Sequence, residues 1–80
     1  MAERTIKSPY PGTFYHRASP QADPYVSEGD VVTPGAVVGL VEIMKSFYEV
    51  TSDEEGVVDR FLVENEGLVD AGQDVIALRD

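Results

Sequence analysis

Val37-Val38-Gly39-Leu40-Val41-Glu42-Ile43-Met44-Lys45-Ser46-Phe47-Tyr48-Glu49-Val50-Thr51 holds two β-prone runs, 37–43 and 47–51, with residues 44–46 between them. Branched and aromatic side chains dominate both runs, and neither keeps the 3.6-residue apolar period of a helix. Two strands so close in sequence pair as an antiparallel hairpin. Its tip then holds Met44, Lys45 and Ser46, and Lys45 projects from the end of the molecule. Turn chemistry alone would not select this tip. Tight hairpins favour Asn-Gly or Asp-Gly, which accept positive φ, and Met-Lys offers neither. These side chains therefore point to a requirement other than turn formation.

The same texture extends outward from the hairpin. Short apolar runs at 5–7, 12–16, 31–32, 57–61 and 75–78 alternate with turn signals. Those signals are Pro9-Tyr10-Pro11-Gly12, Glu28-Gly29-Asp30, Thr33-Pro34-Gly35, Glu54-Glu55-Gly56, Glu66-Gly67 and Ala71-Gly72. This spacing marks an all-β sandwich or flattened barrel. An internal repeat organises it: Ser8, Gly12 and Thr13-Phe14 match Ser52, Gly56 and Val57-Val58. Glu28-Gly29, Gly35 and the run 37–41 likewise echo Glu66-Gly67, Gly72 and the run 75–78. From Ser8 to Gly29 is 21 positions, whereas from Ser52 to Gly67 is 15, so the first half carries an insertion. It lies within 17–27, where Ala18-Ser19-Pro20-Gln21-Ala22-Asp23-Pro24-Tyr25 reads as a proline-punctuated loop. At 80 residues the chain has room for one core, and 1–80 is expected to be a single domain.

With 15 acidic and 6 basic side chains the formal net charge is −9, which repels nucleic acid and anionic membrane as partners. No apolar run approaches the length that crosses a bilayer as a helix. Met1-Ala2-Glu3-Arg4 lacks the blocks of a secretory signal and there is no cysteine, so a cytoplasmic location is expected and disulfides are excluded. His16 stands alone without a histidine or cysteine to share a metal, and no nucleophile elbow supports a hydrolytic triad. An enzyme acting by itself is therefore not expected.

Val41-Glu42-Ile43-Met44-Lys45-Ser46-Phe47-Tyr48-Glu49-Val50 resembles the biotinylation hairpin of biotin carboxyl carrier proteins, in which a Met-Lys pair follows a Glu. Ser8-Pro9, Gly12-Thr13-Phe14-Tyr15, the proline-containing insertion, Gly29, Gly35 and Gly56-Val57-Val58 extend the resemblance over nearly the whole chain. They resemble in particular the carrier of acetyl-CoA carboxylase. Ile43 stands where that motif usually has Ala, and Ser46 where an apolar residue is common. A lipoyl carrier is the alternative, but lipoyl domains place Asp before the lysine, Ala after it, and no insertion in the first half. An unmodified biotinyl-like module that only binds proteins is a further alternative.

The resemblance implies two related four-stranded sheets, biotin joined covalently to Lys45, and a protruding thumb formed by the insertion. It implies that biotin protein ligase attaches the cofactor, that biotin carboxylase loads a carboxyl group and that carboxyltransferase removes it to an acyl-CoA. Such a carrier is a substrate of these enzymes and no catalyst. Met44 would serve recognition or transfer. The thumb residues Ala18, Ser19, Pro20, Gln21, Ala22, Asp23, Pro24 and Tyr25 would contact the biotin ring. Glu42 and Glu49 flank the hairpin as solvated or ligase-orienting carboxylates, Lys7 is expected to be solvated, and Phe47 and Tyr48 to pack into the core.

Overall fold

The computed structural model describes residues 4–80, so the reading of Met1-Ala2-Glu3 as free of a signal lies outside the described residues. Eight strands follow one another: β1 (Arg4–Lys7), β2 (Gly12–Tyr15), β3 (Val31–Val32), β4 (Val37–Ile43), β5 (Ser46–Thr51), β6 (Gly56–Phe61), β7 (Gly67–Val69) and β8 (Asp74–Arg79). They form two antiparallel four-stranded sheets, ordered β1-β8-β6-β3 and β5-β4-β2-β7. The fold is the expected all-β flattened barrel, 37 × 26 × 20 Å in extent.

Strand alternation sends one set of side chains inward from each sheet. Ile6, Phe14, Val32, Val38, Val41, Val50, Val58, Val69, Val75, Ile76 and Leu78 form one buried cluster. Valine supplies most of it, because a short β-branched side chain fills a thin sandwich at little cost in rotamer freedom. Each fully buried member contributes about 1.5–3 kcal/mol.

The two halves are related by a pseudo-twofold axis, and Ser8 and Ser52 show it most clearly. Both are buried. Ser8 Oγ donates to Tyr10 O at 2.6 Å and Ser52 Oγ to Glu54 O at 2.6 Å, while each also accepts the N–H two residues ahead. Gly72 N–H donates to Ser8 O and Gly35 N–H to Ser52 O, at 2.7 and 2.8 Å. Both glycines sit at positive φ, 84° and 92°, where a side chain would strain the backbone.

This symmetry corrects the repeat by one residue. Gly29 (φ 93°) donates to Val58 O, and its counterpart with φ 69° donating to Phe14 O is Glu66, not Gly67. Ser8 to Gly29 spans 21 positions and Ser52 to Glu66 spans 14, so the insertion is seven residues. The same shift releases Gly67 from the turn into β7, a strand absent from the sequence-based assignment. β7 is three residues long and draws its identity from pairing with β2, Gly12↔Val69 to Phe14↔Gly67. No local period announces so short an edge strand.

Symmetry also fixes where the tip lies. The β4–β5 hairpin of one sheet corresponds to the β8–β1 pair of the other, so the place equivalent to the tip is taken by the ends of the described chain. There Arg4 Nη2 meets Asp80 Oδ1 at 2.7 Å and Arg4 Nη1 meets Glu55 O at 2.5 Å.

Candidate functional site

β4 and β5 pair from Val37↔Thr51 to Ile43↔Ser46, so the connection is Met44-Lys45 alone and Ser46 belongs to β5. Met44 has φ 50° and Lys45 φ 70°. A two-residue hairpin whose central residues both have positive φ matches the type I′ turn, whose twist suits the strands it joins. Neither residue is one that favours this region, and the left-handed conformation costs an ordinary L-residue about 1–2 kcal/mol. Met44 is 93 % exposed, and Lys45 and Ser46 are exposed as well. Ile43 packs on the core directly beneath the turn. Gly12 lets β2 approach closely there, since a Cβ on it would stand 2.3 Å from Glu42 O.

Among the described residues the Lys45 amine has no hydrogen-bond or ion-pair partner. Lys7 is exposed, as expected, and there pairs with Asp74. Asp74 also accepts from Thr5 Oγ1 at 2.8 Å, and these contacts, Lys7 first, hold its carboxyl below the usual value of 3.8.

Phe47 and Tyr48 lie on opposite faces of β5, and neither enters the core: Phe47 is 56 % and Tyr48 40 % exposed. β5 is an edge strand, so one flank lacks a neighbour to cover them. Tyr48 packs on Tyr10 of the β1–β2 loop, with ring centroids 4.9 Å apart. Phe47 faces Tyr15 at 6.1 Å on the outer face. Tyr15 Oη donates to Glu42 Oε1 at 2.8 Å, which ties β2 to β4 near the tip and raises the Tyr15 pKa above 10.0, mainly through this bond. Glu42 is therefore a bonded strand residue, while Glu49 is exposed.

The insertion folds back over this outer face and leaves a cleft of about 530 Å³ lined by Tyr15, Arg17, Ala18, Ser19, Pro20, Phe47, Asn65 and Glu66. Of the expected thumb residues, Ala18, Ser19 and Pro20 line this cleft together with Phe47 of β5. Gln21, Ala22, Asp23, Pro24 and Tyr25 lie outside the lining and close the loop. Pro24 bridges Arg17, Ala22 O accepts from Arg17 Nη1 at 3.2 Å, and Ala22 N–H donates to Ser19 O.

His16 anchors the thumb. Its carbonyl accepts from Tyr25 N–H, its own N–H donates to Asn65 Oδ1 at 2.7 Å, and its Nε2–H donates to Val63 O at 2.8 Å. Its ring stacks on Phe61, with centroids 3.9 Å apart. The histidine thus joins thumb to β6–β7 loop, and no His/Cys/Asp/Glu group among the described residues could hold a metal ion. Arg17, Asn65 and Glu66 escaped the sequence reading. The signal available for Glu66 was the repeat, once its register is corrected.

The sequence model of the Biotin_lipoyl family, described as a biotin-requiring enzyme, matches residues 4–78. The chain belongs to the Biotin_lipoyl family. Within this family, the biotin carboxyl carrier protein of acetyl-CoA carboxylase from Porphyra purpurea is 41 % identical over 69 residues, which are 86 % of this chain and 44 % of that protein. The protein of the same name from Haemophilus influenzae is 33 % identical over 78 residues, 98 % of this chain and 50 % of its own. The chain thus spans half or less of the length of these curated relatives. The crystal structure of Kluyveromyces lactis urea carboxylase superposes with a TM-score of 0.76 at 26 % identity, over 99 % of this chain and 6 % of that one. No helix of this Biotin_lipoyl chain is long and apolar enough to cross a membrane among the described residues.

Proposed function

We propose that this chain carries biotin on Lys45 as the biotin carboxyl carrier of an acyl-CoA carboxylase, with acetyl-CoA as the substrate of the whole assembly. The observation that carries the reading is the contrast between the two lysines. Lys45 stands unpartnered on a strained two-residue turn beside an almost fully exposed Met44, whereas Lys7 is engaged by Asp74. A ligase that selects one amine must recognise folded shape, and a hairpin tip with fixed φ angles offers it.

The residues present fit the group. A free primary amine is the acceptor an amide needs, and the adjacent cleft offers an aromatic floor, Tyr15 and Phe47, of a size suited to a small ring. Biotin bound there supplies a ureido ring that accepts a carboxyl group. The chain itself supplies a rigid support, the exposed amine and docking surfaces for biotin protein ligase, biotin carboxylase and carboxyltransferase. Tethering keeps the carried group at high local concentration for both enzymes. The chain is a non-catalytic component and its setting is the cytoplasm. Met44 before the lysine and Ser46 after it favour biotin over lipoate, because the lipoyl pattern has Asp and Ala at these places.

Intact mass after co-expression with a biotin ligase, and separately with a lipoate ligase, tests this. One biotinyl addition that disappears in Lys45→Arg is expected. Biotin retained in Lys45→Arg, or lipoyl addition alone, would overturn the assignment.

A further inference from the structure

We infer that Arg17 makes the thumb cleft a docking place for the carboxyl-bearing, anionic form of the Lys45 arm in preference to its uncharged form. The inference rests on the biotin reading of Lys45. In a chain of net charge −9, cations are quickly neutralised. Arg4 pairs with Glu54 and Asp80, Lys7 with Asp74, and Arg60 and Arg79 both with Asp59. Among the described residues, Arg17 and Lys45 are the two cations without a carboxylate partner. Joining Lys45 to an acyl group removes its charge, so the loaded carrier keeps one unpaired described cation. Arg17 shares the cleft with Phe47, which lies two residues along β5 from Lys45.

The guanidinium is also short of acceptors. Nη1 donates to Ala22 O at the long distance of 3.2 Å, and Nε is buried with no partner. A buried N–H without an acceptor is a standing cost, so the guanidinium that lines the cleft holds unused donor capacity. The arm offers two states: an uncharged ring, and a ring whose nitrogen bears a carboxylate. Both can lie on Tyr15 and Phe47, but the second alone adds the charge-assisted bonds that an arginine forms with a carboxylate. Glu66, exposed on the same cleft, acts with the opposite sign. Arg17 therefore sets the charge preference and Glu66 moderates it.

The test follows the carried carboxyl group on the carrier alone. Biotinylated wild type, Arg17→Gln, Arg17→Lys and Glu66→Gln are charged with labelled bicarbonate by biotin carboxylase and ATP, then separated from the enzyme. Loss of label breaks the ring nitrogen–carboxyl bond, releases CO2 and leaves the nitrogen to take a proton from water. A carboxylate held by Arg17 should persist about three- to tenfold longer than in Arg17→Gln, the scale of a partly solvated charge-assisted bond. Arg17→Lys should fall between them, and Glu66→Gln should lengthen the lifetime. In wild type the Arg17 Nε–H resonance should also shift when the arm is carboxylated and not when it is only biotinylated. Equal lifetimes at complete biotin loading, or an unmoved Nε–H resonance should Arg17→Gln fail to fold, would overturn the inference. Intact mass separates this outcome from failure of the biotin reading, in which Lys45 gains no mass and both claims fall.

Discussion

Replacing Met44 by Asn should stabilise the fold and impair modification, a combination that separates turn strain from function. Met44 has φ 50° and is 93 % exposed, so its side chain contributes almost no burial to lose. Holding an ordinary residue there costs about 1–2 kcal/mol, and Asn removes part of that cost because its short amide tolerates the left-handed region. The expected gain is about 0.5–1 kcal/mol, or a rise in Tm of about 2–8 °C for a domain of this size. Met44→Gly is the control: it removes the same strain but gives back about 0.5–1 kcal/mol in chain entropy, so its Tm should stay nearer wild type. Thermal denaturation followed by circular dichroism measures the first effect, and biotinylation rate with a fixed ligase the second. A lower Tm in Met44→Asn would show that the turn carries no strain at this position. A higher Tm with an undiminished rate would show that Met44 is not retained for recognition, and would leave its presence unexplained.

The symmetric serines predict matched losses: Ser8→Ala and Ser52→Ala each remove a buried hydroxyl that bonds one N–H and one carbonyl of a half-exposed turn, and each should cost about 0.5–1.5 kcal/mol per bond lost in denaturant titration, within about 0.5 kcal/mol of one another. Clearly unequal values would mean that the two half-turns differ in energy despite their shared geometry. Asp74 has a depressed folded-state pKa, so the stability tied to its ionised form is present above 3.8 and is lost as pH falls through the lower folded value. Asp74→Asn should therefore be less stable than wild type at neutral pH and converge on it in acid, and a gap that stays constant down to the acid transition would contradict the assignment. Deleting 19–23 and rejoining the loop should leave the melting curve close to wild type while carboxyl transfer falls, because core contact resumes only at Val26. Unfolding on deletion would make the thumb structural.

The strands other than β7, the hairpin at residues 37–51 and the exposure of Lys45 at its tip were all legible in the sequence. They depend on interactions within a few residues: β propensity, alternation and the shortness of a connection. The twofold repeat was legible as well, because Ser8 and Ser52 open identical half-turns whose residue types are dictated locally. Its register was not, since a glycine at 67 invited a match to Gly29 when the positive φ falls on Glu66.

Tertiary structure decided whatever depends on chain segments distant in sequence. β7 exists because β2 pairs with it, and three residues alone carry no period. Phe47 and Tyr48 look like core side chains by composition, but an edge strand near the end of the barrel offers no second layer to bury them. Met44-Lys45 had the wrong chemistry for a type I′ turn, and only the strand register that pairs Ile43 with Ser46 forces both residues to positive φ. The cleft draws Arg17 from the thumb, Phe47 from β5, and Asn65 and Glu66 from the β6–β7 loop. No local rule links these positions, because they converge through His16, whose backbone and ring bind the thumb to that loop. The exposed hairpin lysine was thus readable from its neighbours in the chain, while its surroundings follow from long-range pairing that sequence periodicity does not encode.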